Sequence, residues 1–229
     1  MFRLLSDACV TRGYLLQPQK IQMDYELAAR NASAVIFPQA EWKGCFFHYT
    51  QCIWRKAQQH QLQKAYSEND EIRKFIRRCA VLPLLPVHEV EELWLDTLES
   101  MPDDPRCRDL SDYVTSYWIE GDLHRPQWNH HDSDGPRTNN HLEGWHSRLK
   151  RLVGRAHPNI FEIIKFLAKE QTHTEVRLLQ FTGGQKRPLK KRKYRDLERR
   201  LDVLGHNLGN GLMSTRDYAD AASHLLHMG

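Results

Sequence analysis

The amino-acid sequence predicts an α/β protein that is mostly helical, and three stretches carry that prediction. Residues 20–56 (KIQMDYELAARNASAVIFPQAEWKGCFFHYTQCIWRK) read as strand, helix, strand, helix. Residues 67–121 hold three amphipathic helical stripes, and residues 186–200 carry nine Lys or Arg against Asp196 and Glu198. With 229 residues, an apolar fraction of 40%, six Trp and eight Phe, the chain has enough apolar material for a core. A mean hydropathy of −0.67 leaves much of the surface polar.

Taken in order, residues 1–12 form a helical pattern with Phe2, Leu5 and Cys9 apolar, broken at Gly13. Ile21, Met23 and Tyr25 then alternate with Gln22, Asp24 and Glu26, the period of a short strand with one buried face. Asp24 falls at the carboxyl end of that strand. A helix-forming run over 27–36 is stopped by Pro38, and Gly44-Cys45-Phe46-Phe47-His48 reads as a second strand. A helix is expected from about 51 to 66. A helix between two strands in so short a span makes them a parallel pair. In such sheets chemistry gathers at the carboxyl ends of the strands, where Asp24 and the Cys45/His48 pair both lie.

Beyond residue 66 the pattern turns helical. Ile72, Phe75, Ile76 and Cys79 follow i, i+3, i+4, i+7; Pro83 and Pro86 interrupt; Val90, Leu93, Trp94 and Leu98 resume the period. After Pro102 and Pro105, Leu110, Tyr113, Val114, Tyr117 and Trp118 form the strongest stripe. Residues 122–137 read as a polar loop containing His130 and His131. Residues 138–140 cap a helix to about Val153, and a further helix over 160–180 is stopped by Gly183 and Gly184. Residues 205–211, rich in Gly and Asn, read as loose, and Ser214 caps a last short helix. The segments are therefore 1–66, 67–125, 138–182 and a basic tail with its terminal helix, 183–229.

Lys and Arg number 33 against 29 Asp and Glu, a net charge of +4, so the basic excess is local rather than global. No signal peptide and no apolar run near twenty residues is present, and no membrane span is expected. Five cysteines, an odd count without C-x-x-C, point to reduced thiols in cytosol or nucleus.

Four constellations could carry chemistry. Asp24 suits Mg²⁺, a hard cation that takes carboxylate oxygen, and suits equally the N-cap of the next helix, the commoner role for an aspartate there. Glu143, in Asn140-His141-Leu142-Glu143, matches a capping box, yet its place on the flank of the apolar face also suits a metal ligand. Cys45-x-x-His48 is half a zinc site, with Cys52 and His141 or His146 as distant further ligands. A closed zinc site needs four, so a buried cysteine and a hydrogen-bonded histidine packing the strand end are the favoured reading, and zinc is not expected. Lys186, Arg187, Lys190, Lys191, Arg192, Lys193 and Arg195 make a patch for nucleic-acid phosphates or nuclear import, or a solvated linker.

The series D-Y-E-x-A-A, G-C-F-F-H-Y-T-Q-x-I-W-R-K, a helical block, then R-T-N-N-H-L-E-G-W-H resembles the catalytic domain of Mutator-like element (MULE) transposases. The resemblance spans roughly residues 14–171, with four motifs in the family's order: Asp24 with Glu26, Cys45 and His48 with Gln51, residues 113–118, and residues 138–146. It implies an RNase H-like fold with a D-D-E metal triad and a helical insertion, here 67 to about 125. Asp24 corresponds to the second aspartate and Glu143 to the glutamate, while Cys45 and His48 match the family's Cys-x-x-His signature in a supporting role. The implied chemistry is DNA cleavage and strand transfer in the nucleus, with two Mg²⁺ or Mn²⁺ ions about 4 Å apart clamping the phosphodiester.

Only 23 residues precede Asp24, and Asp7, their sole acidic residue, lies in a helical pattern. The family's first aspartate and its three-strand meander do not fit there. The chain therefore reads as a C-terminal fragment with an incomplete RNase H-like core, inactive as a catalyst by itself, with DNA as its partner and a homo-oligomer possible. The rivals are a domesticated or decayed non-catalytic DNA-binding protein and a zinc-stabilised module built on Cys45, His48 and Cys52.

Overall fold

The computed structural model describes residues 1–131, 133, 137–138, 140–154, 157–186, 192–226 and 228, with the backbone alone for 140–143, 193 and 194. Two compact units form: Met1–Asn139 with Arg199–Gly229, and Asn140–Glu198. Sequence divides the chain into four segments; the structure returns 199–229 to the first unit.

Helix α1 (Phe2–Thr11) precedes strand β1 (Lys20–Met23), and α2 (Leu27–Ile36) stops just ahead of Pro38. Strand β2 (Glu41–Gly44) pairs parallel with β1, Lys20 opposite Glu41 and Met23 opposite Gly44. The expected parallel pair is present, but its second strand lies earlier than residues 44–48. Residues 46–48 instead open helix α3 (Phe46–Gln59). Cys45, Tyr49, Ile53 and Ala57 recur at every fourth position and are all 0% exposed. A helix places that set on one face. Gln61, with φ +57, reverses the chain into α4 (Gln63–Glu68), so the helix expected over 51–66 is two.

The helical block follows the sequence closely. Helix α5 (Asp70–Val81) is capped by Asn69, whose side chain accepts from the amides of Glu71 and Ile72. Its stripe of Ile72, Phe75, Ile76 and Cys79 is buried. Two 3-10 turns, Leu82–Leu84 and Val87–Glu89, accommodate Pro83 and Pro86 before α6 (Val90–Glu99). Helix α7 (Pro105–Val114), capped by Asp104, runs on as a π-helical turn, Thr115–Ile119. Leu110, Val114 and Trp118 are buried from this stripe, whereas Tyr117 is 44% exposed and stacks on Tyr113.

Residues 122–137 are more than a polar loop. They contain α8 (Arg125–Trp128), and Trp128, Asn129 and His130 enter the core at 3% exposure or less. The Asn129 amide donates to the Leu85 carbonyl (2.7 Å) and the His130 backbone N–H to Pro83 (2.5 Å). Two carbonyls of the turn between the prolines thus receive donors from this segment.

The second unit holds α9 (Asn140–Val153) and α10 (Ile160–Thr182), at the expected places. Asn159 and Glu162 form a reciprocal capping box at the start of α10. Helix α11 (Arg192–Gly209) runs through residues 205–209, which composition marks as loose. Leu197, Leu201, Leu204 and Leu208 lie on one face, with Leu201 buried, and that periodicity overrides the cost of Gly205. Helix α12 (Thr215–Leu225) is capped by Ser214, whose side chain accepts from the Asp217 amide.

Helix α12 packs on α5. At that contact Arg78, 3% exposed, donates from Nε and Nη2 to the Asp220 carboxylate (2.8 and 3.0 Å) and from Nη1 to Asp96 of α6 (3.0 Å). Lys74 also reaches Asp220, and Arg216 pairs with Asp96. The Tyr218 hydroxyl donates to the Leu84 carbonyl (2.9 Å). Among the described residues, no helix is long and apolar enough to cross a membrane.

Candidate functional site

Asp24 follows directly on the last residue of β1 and is exposed. The N-cap position of α2 is Glu26, which makes no side-chain cap bond, so Asp24 is not the helix cap that its local sequence suggests. The strand's alternation continues past its last paired residue, with Tyr25 turned inward and Asp24 outward. The Tyr25 ring lies edge-on to Trp42 (5.8 Å) and Trp118 (4.8 Å) and presses against Gly44 so closely that a Cβ there would sit 2.4 Å from it. A bare α-carbon on β2 therefore lets the aromatic cluster close behind the strand end and holds Asp24 outside it.

Cys52 and Arg55 of α3 share this corner. Burial pushes the Cys52 thiol up, Arg55 pulls it down, and the Asp24 carboxylate pushes it up again. Cys45 occupies the position before α3 and is fully buried, and His48 is half-buried in the helix's first turn. Cys45 thus follows the last residue of β2 directly, at the carboxyl end expected for it, while His48 lies in the first turn of α3. All five cysteines are thiols outside any disulfide. Among the described residues no group of three or more His, Cys, Asp and Glu could hold a metal, so zinc is not indicated.

Glu143 lies in α9, but its side chain is outside the described residues, as are those of Asn140 and His141. His146 is exposed on the same helix. Of the carboxylates assigned to Mg²⁺ or Mn²⁺, the described residues supply Asp24 alone.

The basic segment is placed in part. Lys186 is exposed after α10; Arg187, Lys190 and Lys191 lie outside the described residues, as does the side chain of Lys193. Arg192 and Arg195 are exposed on α11, and Arg199 extends them along the same face at i, i+3, i+7, opposite the leucine face. No acidic residue occupies the first turn of α11. The helix's positive end and its arginines therefore add, an arrangement that attracts phosphate. The pair of Arg192 with Asp196 (3.6 Å) is exposed on both sides and offsets little of this charge.

A cleft of about 550 Å³ that no sequence motif marks opens beside the sheet, lined among others by Asn31, Asp122, His124 and Gln127. Arg30 lies over the Trp42 ring at its edge, 5.7 Å from the centroid. Helix α11 thus displays arginine charge, and β1, by itself, a carboxylate at its end. Comparison with protein-family models, with curated proteins and with solved structures found no match.

Proposed function

We propose that this chain is part of a Mutator-like, DDE-type DNA transposase that holds DNA without cutting it by itself. In the parent protein the chemistry would be two-metal cleavage and joining of DNA in the nucleus, on an RNase H-like core to which β1 and β2 would belong. The order of the motifs supports this reading, as does Asp24 exposed at the carboxyl end of a parallel strand. The observation that carries the DNA-binding part is the arginine face of α11, Arg192, Arg195 and Arg199, free of acidic residues in its first turn. The second reading is a domesticated or decayed protein that binds DNA and does no chemistry.

Salt dependence tests the binding. Each phosphate neutralised releases counterions, so affinity for duplex DNA should fall with salt, and Arg192→Ala with Arg195→Ala and Arg199→Ala should lower the log–log slope by about three. Fluorescence anisotropy that shows a salt-independent constant overturns the proposal. Incubation of supercoiled plasmid with Mn²⁺ should leave it intact; nicking that Asp24→Asn abolishes would show that the chain is catalytic after all. An in-frame strand with an aspartate encoded upstream of Met1 separates the transposase from its domesticated rival.

A further inference from the structure

The cleft beside the sheet is built within the first unit. Helix α2 supplies Arg30 and Asn31, β2 supplies Trp42, and α8 with the turn before it supplies Gln127 and Asp122. Its volume, about 550 Å³, suits a small organic ligand. Trp42 is 9% exposed, yet its indole N–H has no acceptor, and the Gln127 Oε1 is buried without a donor. Buried polar atoms in that state are costly until a partner satisfies them. Among the described residues, neither the Gln127 carboxamide nor that of Asn31 makes a hydrogen bond. The Arg30 guanidinium lies over the Trp42 ring at 5.7 Å and holds no ion pair there. It forms a flat shelf of the kind on which a nucleobase stacks.

We propose that this cleft binds an adenine nucleoside, free or as an unpaired residue of a nucleic-acid strand. Two carboxamides select the base. Adenine carries an amino donor at N6 with an acceptor on each side, N1 and N7. It therefore meets one carboxamide along each edge: N6–H donates to the carbonyl oxygen, and the amide NH₂ donates to the ring nitrogen. Guanine has an acceptor, O6, in that place, and its O6/N7 edge leaves a carboxamide oxygen without a donor. Cytosine has a ring nitrogen on one side of its amino group only. The terminal torsions of Asn31 and Gln127 are soft, so either end of the amide turns to suit the base. Asp122, exposed at the rim and in no ion pair among the described residues, accepts from the sugar hydroxyls. Only the strand-borne form of the ligand rests on the DNA binding proposed above.

Isothermal titration calorimetry of the full chain with adenosine tests this. Saturable binding is expected, with guanosine and cytidine about tenfold weaker, the share of one carboxamide. Gln127→Leu and Asn31→Leu should each weaken adenosine about tenfold. Ala34→Trp, at an exposed position of α2 that lines the cleft, should abolish binding by filling it. Urea unfolding of each variant without ligand separates lost binding from lost folding, and adenosine should raise the Tm of the parent chain but not of Ala34→Trp. A duplex with one unpaired adenine displaces adenosine where the base comes from a strand; where it comes free, the duplex does not compete. Arg192→Ala with Arg195→Ala and Arg199→Ala should leave adenosine affinity unchanged, so this site and the DNA-binding face fail separately. The absence of both heat and Tm shift overturns the proposal. So does equal affinity for all three nucleosides, or binding indifferent to the substitutions at Asn31, Ala34 and Gln127.

Discussion

A methyl group added at Gly44 would lie 2.4 Å from the Tyr25 ring. Gly44→Ala must push Tyr25 out of its contacts with Trp42 and Trp118, and should cost about 1–3 kcal/mol in thermal or urea unfolding. Tyr25→Ala in the same chain should cancel most of the added cost of the methyl group, because the clash and its victim are one pair. His130 offers a second residue-scale measurement. Burial, with Lys43 nearby, brings its pKa down from 6.5 to about 4, although a backbone interaction with Gly44 opposes the shift. The unfolded chain therefore binds the proton more readily than the folded one. Stability should be complete above pH 6.5 and fall toward pH 4, by a total on the order of 3 kcal/mol. Urea titrations across that window should show the loss, and His130→Gln should flatten it. Nothing in the local sequence sets His130 apart from His131, since the turn that buries it is made by Pro83 and Leu85, far away in the chain.

Among elements, the join between α5 and α12 is the most consequential. Arg78 sits on a helix whose apolar stripe is plain in the sequence, but its own burial depends on Asp220, 142 positions away. Arg78→Met would remove the cation that Asp96 and Asp220 share, leaving Asp220 with Lys74 and Asp96 with Arg216, and should destabilise the first unit by about 1.5–3 kcal/mol, read from urea unfolding. Burial alone would raise the Asp220 carboxyl, yet the bonds from Arg78 and Lys74 hold it below the ordinary carboxylate range. The stabilisation from this carboxylate is thus present above pH 4 and lost in stronger acid. The start of α3 shows the other limit of sequence reading. Gly44-Cys45-Phe46-Phe47-His48 is short, apolar and aromatic, and such a run fits a strand as well as a buried helix end. The spacing of four from Cys45 to Ala57 distinguishes the two, because it extends the helix back to Phe46.

Across the whole chain, the most legible parts were those whose order is local. The bounds of α2, the three stripes of α5, α6 and α7, and the Ser214 cap all follow from residues within a few turns of each other. Parallel pairing was legible too, because a helix between two short strands leaves few alternatives. Long-range closure was not: the entry of residues 128–130 into the core and the return of 199–229 to the first unit depend on partners that no periodicity reveals. Of the candidate site, sequence located Asp24 at its strand end and counted Arg199 within the basic stretch 186–200, but did not show the helix α11 that aligns it with Arg192 and Arg195. The clamp of α12 on α5 also bears on biosynthesis. While a ribosome is still translating residues 215–226, Arg78 has no Asp220 to meet and the Leu84 carbonyl no tyrosine, so a frameshift or stop codon late in the message would leave the buried guanidinium of α5 short of its main carboxylate.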